Sequence, residues 1–310
     1  MEKANDPVSE VLSSGKVSSR SMNQSTATTP DVDARRIGAI LAELRNLNAE
    51  QVEQVLRLQQ TAGIRFGEAA VSLGLATKDD VLFALSQQFH YPYAQVSDHA
   101  ALSNELVALK EPFSARAESF RAIRSQLMMR VFSETISNHA LAIISPDAGD
   151  GKTYFSCNLA ITLAQLGGRT LLVDADMRGP RVHSVFDIKT TTGLSGILSG
   201  RTDGQAIQQI RNISSLFILP VGTTPPNPLE LIERPAFGLL MRELVSKFDH
   251  VIVDTPASVY GSDCSVIASR CGAALVVARK NVSRTDSLRE LVASLQGVPV
   301  KMAGVIFNEV

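Results

Sequence analysis

The sequence has no tryptophan, and only 5% of its 310 residues are aromatic. It has no run approaching the roughly 18 apolar residues that a membrane-spanning helix needs. Its N-terminus carries no apolar segment of the kind found in a secretory signal peptide. Charge of either sign is not in excess: the net charge is −1, so no nucleic-acid partner and no direct binding to an anionic membrane is expected. The three cysteines, Cys157, Cys264 and Cys271, are odd in number and show no metal-ligand spacing. They are expected as buried, reduced thiols of a cytoplasmic protein. Apolar residues make up 45% of the chain, enough for one large core or two modest ones.

Residues 1–30 hold ten Ser or Thr and almost no large apolar side chains, and are expected to form a disordered tail. Residues 31–95 contain an internal repeat with an offset of 29. Arg36-Ile37-Gly38 aligns with Arg65-Phe66-Gly67, Leu44 with Leu73, Val52 with Val81, and Gln59 with Gln88. Each copy reads as helix, turn, helix. Asn48, with Gln51 three residues on, reads as a capping box, and Thr77 with Asp80 takes that place in copy two.

This repeat resembles the small helical N-terminal domain of type II secretion and type IV pilus ATPases. Some members of that family bind cyclic di-GMP through two tandem Arg-Leu-Gly motifs. Copy two keeps Arg65, Gly67, Gly74, Leu75 and Gln88, but copy one has Arg45 where a Gly is expected and Asn46 in the apolar pair that follows. The repeat is therefore expected to dock protein rather than cyclic di-GMP.

Pro92, Pro112 and weak periodicity mark a linker at 96–112. A helix is expected at Ala115–Phe132, with Phe120, Ile123, Leu127 and Met128 on one face. Glu118, Arg121 and Arg124 recur at three-residue spacing on the other, a pattern that by itself reads as a solvated, salt-bridged surface. From Leu141 onward, apolar runs at 141–144, 170–173, 215–219, 250–253, 273–277 and 303–307 alternate with helical patterns. That predicts an α/β fold with a mostly parallel sheet covered on both sides.

The first of those runs leads into Ser145-Pro-Asp-Ala-Gly149-Asp150-Gly151-Lys152-Thr153, and a helical pattern follows from Tyr154. Gly149 and Gly151 let the backbone turn its N–H groups around an anion, and the helix start points to the same place. Lys152 can reach outer phosphates, and the Thr153 hydroxyl suits a magnesium ion. Pro146 stands where the usual spacing asks for a glycine, so the loop is a deviant Walker A. Two further runs end in acids: Leu171-Leu-Val-Asp174-Ala-Asp176-Met-Arg178 and Val251-Ile-Val-Asp254-Thr-Pro256. Strand C-termini are where open α/β sheets bind ligands. Carboxylates gathered at one point need a cation, which a magnesium nucleotide supplies, and Asp254 can hold the metal directly or through water.

Residues 113–310 resemble the cytoplasmic kinase domain of bacterial tyrosine kinases, which control polysaccharide chain length and export. The resemblance rests on the loop, on Asp174-x-Asp176-x-Arg178, on Val253-Asp254-Thr-Pro, on Gly193-Leu-Ser, on Gly222 with Pro225-Pro-Asn-Pro228, and on Glu118-x-x-Arg121-x-x-Arg124. With the repeat, the whole chain is similar to the exopolysaccharide chain-length-determinant tyrosine autokinases. The resemblance implies a P-loop NTPase of the deviant Walker A type, preceded by a small all-helical domain, that uses ATP and Mg²⁺. Gly149, Asp150, Gly151, Lys152, Thr153, Tyr154 and Asn308 would contact ATP. Thr153, Asp174 and Asp254 would hold the metal, and Lys152, Asp174 and Asp176 would serve phosphotransfer. Glu118, Arg121 and Arg124 would lie between neighbours in a homo-oligomeric ring. A membrane polysaccharide co-polymerase or adaptor would recruit the chain to the inner membrane.

The alternative is a nucleotide-gated regulatory ATPase without phosphotransfer. Partition and septum-site ATPases share the fold, but they carry an extra Lys where this chain has Asp147. Related kinases end in a tyrosine-rich tail, whereas the four tyrosines of this sequence are Tyr91, Tyr93, Tyr154 and Tyr260. Tyr91 and Tyr93, flanking Pro92, are the first expected acceptors. Tyr260 follows the Asp254 strand in a loop, and Tyr154 is held by its helix.

Overall fold

Leu141-Ala-Ile-Ile144, Leu171-Leu-Val173 and Val251-Ile-Val253 leave no polar side chain for a solvent face, so each run must be covered on both sides. In the computed structural model, which describes residues 31–88, 102–132, 139–189, 191–201, 206–211 and 213–309, all three are buried strands. The tail at 1–30, the start of the linker at 96–101, and Tyr91, Pro92 and Tyr93 lie outside the described residues.

The first unit has four helices, α1 (Asp31–Arg45), α2 (Ala49–Ala62), α3 (Phe66–Ser72) and α4 (Lys78–Gln88), two per repeat copy. Asn48 and Gln51 form the capping box of α2: Asn48 Oδ1 accepts the Gln51 N–H at 2.8 Å and Gln51 Oε1 accepts the Asn48 N–H at 3.0 Å. Thr77 and Asp80 exchange the equivalent bonds at α4. Arg45, which departs from the repeat, pairs with Asp80 at 2.6 Å and so ties copy one to copy two. Burial disfavours the charge on Asp80, but bonds from Thr77 and Arg45 outweigh it and hold its pKa below the usual value. Leu41, Val55, Phe66, Ala69 and Ala70 are buried in this unit's core. A Cβ at Gly67 would lie 2.6 Å from Val81 Cγ1, so that glycine serves a close helix contact.

The second unit runs α5 (Val107–Lys110), α6 (Ala115–Arg130), β1 (Ala140–Ile144), α7 (Lys152–Ala164), β2 (Thr170–Asp174), α8 (Val182–Val185), α9 (Leu194–Leu198), β3 (Gln208–Ile210) and β4 (Ile213–Leu219). It continues through α10 (Pro228–Glu233), α11 (Pro235–Lys247), β5 (His250–Asp254), α12 (Asp263–Cys271), β6 (Gly272–Arg279), α13 (Thr285–Ser294) and β7 (Lys301–Asn308). The sheet order is β3-β4-β2-β5-β1-β6-β7, parallel throughout except for β3 against β4. With only one apolar residue, Gln208-Gln-Ile210 gives no strand signal, which is why the strand of Asp254, read from sequence as the fourth, is the fifth. Leu141, Ile143 and Leu172 face a core shared with α6 and α7. Ala142, Ile144 and Val173 face the opposite core, shared with α11 and α12.

Residues 102–112 are not the plain linker expected from sequence. Leu106, Val107, Ala108 and Leu109 are buried in the same core as α7. Asn158 of α7 accepts the Ala108 N–H at 2.9 Å, and its amide donates to the Glu105 and Tyr154 carbonyls, both at 2.8 Å. Four helical residues are too few to show a period, so α5 left no pattern to read. Asn158→Ala strips a buried N–H of its acceptor and should cost about 1–3 kcal/mol of unfolding free energy in urea denaturation. A change within ~0.5 kcal/mol would show that α5 is not held this way.

Candidate nucleotide-binding site

β1 delivers Ser145 to a loop that turns back into α7. Gly149 and Gly151 adopt φ of 83° and 94°, the left-handed region that glycine enters without steric cost. Gly151 is further restricted, because a Cβ there would fall 2.1 Å from Asn308 Nδ2. The buried Asp150 carboxylate accepts the Asp147 N–H at 2.9 Å and the Ser283 hydroxyl at 2.7 Å, so it braces the loop. Lys152, 6% exposed, donates Nζ to Ser145 Oγ at 2.8 Å.

Asp174 and Asp254 are register partners on the adjacent parallel strands β2 and β5, and both are fully buried. Asp254 accepts from Thr153 Oγ1 at 2.7 Å and Ser156 Oγ at 3.1 Å. Asp174 accepts the Asp176 and Val182 N–H groups at 3.2 and 3.1 Å. Burial pushes the Asp254 carboxyl up to about 6, opposed by Thr153 and Lys152. Burial, and then the charge of Asp254, pushes Asp174 well above the usual carboxylate range. Two carboxylates and a threonine hydroxyl form an all-oxygen donor set that fits a hard divalent cation such as magnesium.

Asp176 accepts the Arg178 and Gly179 N–H groups, while the Arg178 guanidinium is fixed on buried Asp263 by bonds of 3.2 and 3.0 Å. Gly149, Lys152, Thr153, Tyr154, Asp176 and Arg178 line a cleft of about 450 Å³. A second cavity of about 340 Å³ is lined by Phe120, Tyr154, Phe307 and Asn308, so Tyr154 belongs to both. The Tyr154 ring meets Phe120 edge-on at 5.8 Å, and burial raises its phenol pKa. Asn308 donates to the Asp150 carbonyl at 3.1 Å.

Glu118, Arg121 and Arg124 sit apart from this cluster, on α6. Arg121 donates to Glu118 Oε2 at 2.6 Å and to the Pro112 carbonyl, and Arg124 donates to the Thr162 carbonyl of α7 at 2.7 Å. The arginines expected at a neighbour's surface thus bind their own chain, while Glu118 is 71% exposed. Sequence reasoning gave no role to Ser156, Asp263 and Ser283, or to Arg181, which also lines the cleft. Their partners are distant in sequence or their residue types carry no motif.

The folded Asp254 carboxyl holds its proton more tightly than an unfolded aspartate with its usual pKa of 3.8. Its ionisation therefore subtracts stability progressively as pH rises from 3.8 to about 6, in full above that window and not at all below it. Asp254→Asn should raise the nucleotide-free Tm at about pH 8 and lose most of that gain only as pH falls to about 4. A lower Tm at the higher pH would show that the Thr153 and Ser156 bonds outweigh the buried charge.

Residues 141–310, more than half of the chain, match the CobQ/CobB/MinD/ParA nucleotide binding domain. The chain is 33% identical over 203 residues to the putative tyrosine-protein kinase CapB of Staphylococcus aureus, covering 64% of this chain and 86% of that protein. It is 31% identical over 212 residues to the tyrosine-protein kinase Wzc of Salmonella typhi, covering 67% of this chain but 28% of that protein. Its fold is similar to the kinase domain of the Escherichia coli tyrosine kinase ETK, with a TM-score of 0.64 and 30% identity, covering 70% of this chain and 84% of that one. The chimerical protein CapA2B2 gives a TM-score of 0.62 at 30% identity, covering 73% and 97%. The phosphate loop, the paired strand-end aspartates and these matches agree: the chain carries the CobQ/CobB/MinD/ParA nucleotide-binding domain and belongs to the bacterial tyrosine-protein kinases.

Proposed function

We propose that the chain is an ATP- and magnesium-dependent protein-tyrosine kinase that regulates the chain length and export of an exopolysaccharide. The observation that carries the nucleotide chemistry is the buried Asp174–Asp254 pair, bonded through Thr153 to the start of the helix behind the phosphate loop. When bound, magnesium would neutralise charge on the β- and γ-phosphates. Lys152 opposes the charge that develops on the transferring group. Asp176 lines the open cleft, whereas Asp174 is buried with its oxygens on two backbone N–H groups, so Asp176 is the better proton acceptor for a tyrosine hydroxyl. The cavity beside Tyr154 and Asn308 suits adenine.

Among the described residues, no helix is long and apolar enough to cross a membrane. The family resemblance supports a membrane co-polymerase or adaptor as partner at the inner membrane, a homo-oligomeric ring, and a helical repeat that docks protein.

Lys152→Met should lower ATP turnover and tyrosine phosphotransfer on the order of a hundredfold. Turnover equal to the parent would place the site elsewhere. Robust turnover with no phosphotyrosine on the chain, a tyrosine copolymer or a partner would favour the nucleotide-gated regulator.

Because Arg121 and Arg124 hold α6 in place, exposed Glu118 is the cleaner probe of the ring. Glu118→Lys should shift sedimentation toward monomer while leaving Tm within a few degrees, as an exposed substitution does. Unchanged assembly would return α6 to a purely intrachain role.

A further inference from the structure

Among the described residues, Arg178 feels the charge of Asp263, Asp176 and Glu230 but is bonded through its side chain to Asp263 alone. Its Nε and Nη2 donate to Asp263 Oδ1 and Oδ2 at 3.2 and 3.0 Å, a two-bond fork. Asp263, in the first turn of α12, is 1% exposed, whereas the Arg178 side chain is 34% exposed and lines the nucleotide cleft with Asp176. The bonds to Asp263 are the main reason that the Arg178 pKa is raised, and the charge of Asp176 adds more to it than that of Glu230. Asp176 is thus the next acid open to Arg178. Yet no bond joins their side chains. Asp176 Oδ1 accepts the backbone N–H groups of Arg178 and Gly179, and its Oδ2 makes no hydrogen bond among the described residues. A guanidinium beside a carboxylate pairs with it unless a better partner holds it.

We propose that Asp263 is a positioning residue that keeps Arg178 off Asp176, and so leaves Asp176 free to take the proton of a tyrosine hydroxyl. This rests on the kinase reading above. In that transfer the tyrosine oxygen bonds to the γ-phosphorus of ATP as the bond from that phosphorus to the β–γ bridging oxygen breaks. ADP leaves, and the phenolic proton passes to the Asp176 carboxylate. The fork also fixes the Arg178 backbone, whose N–H holds Asp176 Oδ1 at 3.1 Å. Without the Asp263 charge, Arg178 turns to Asp176 and covers the oxygen that the proton needs. The phosphate loop has its own bonds, from Asp150 to the Asp147 N–H and Ser283 and from Lys152 to Ser145, and none of them involves Asp263. The effect therefore falls on transfer and not on nucleotide affinity.

The full chain is assayed with Mg-ATP and a Glu/Tyr copolymer as acceptor, and the Kd of a non-hydrolysable Mg-ATP analogue is measured by calorimetric titration. Asp263→Asn keeps the shape of the side chain and removes its charge. It should lower kcat for copolymer phosphorylation by about tenfold or more and leave the analogue's Kd within about twofold. Adding Arg178→Gln should restore kcat to within about threefold of the parent, because no cation is left to cover Asp176. A side chain needed only for folding would show no such rescue. Arg178→Lys keeps both charges but cannot make the fork, so it should lower kcat by about threefold or more, and it tests the inference even where Asp263→Asn does not fold. A double variant as slow as Asp263→Asn, or an unaltered kcat in both single variants, overturns the inference and leaves the kinase reading intact. A Kd that rises in step with the loss of kcat overturns it too, by showing that Asp263 shapes the nucleotide site itself. No copolymer phosphorylation by the parent chain overturns both readings.

Discussion

Two ionisable acids held side by side inside a sheet are the constraint on which the second unit depends. Asp174 and Asp254 end adjacent strands in register and are sealed from solvent. Uncompensated buried charge is strongly destabilising, so the neighbouring residues are chosen for what they offer it. Thr153 and Ser156 donate from α7, and two backbone N–H groups donate to Asp174. The sheet supplies the rigidity that keeps the two acids from moving apart.

Much of this was legible because the α/β half writes its strands as unbroken apolar runs and places its chemistry where those runs stop. Asp174, Asp254 and the loop between Ser145 and Thr153 could be found that way. β3 could not, since Gln208-Gln-Ile210 borrows its strand character from pairing with β4. Nor could α5, whose apolar residues have no period. The direction of Arg124 was ambiguous for another reason: a long side chain on a helix flank can bend toward solvent or toward a neighbour, and the Thr162 carbonyl decides it. Partnerships such as Arg178 with Asp263 and Asp150 with Ser283 span 85 and 133 residues and depend on topology, not on spacing.

The helical unit shows the converse case. Arg45 looked like decay of a repeat, because comparison of the two copies treats any difference as loss. In three dimensions its guanidinium meets the capping acid of the other copy's second helix. The asymmetry is what lets one copy grip the other, and the glycine at position 67 is kept by the proximity of Val81.

The strand of chain from Ser103 to Lys110 has a mechanical meaning. It bonds to Val185 beyond the Asp176 segment, forms the Glu105–Arg181 pair, and ends on Asn158 of α7 and on Gln165 just past that helix. This segment is thus fastened to the helix that begins with Lys152, so a load reaching Ser103 along the chain is carried by the nucleotide helix.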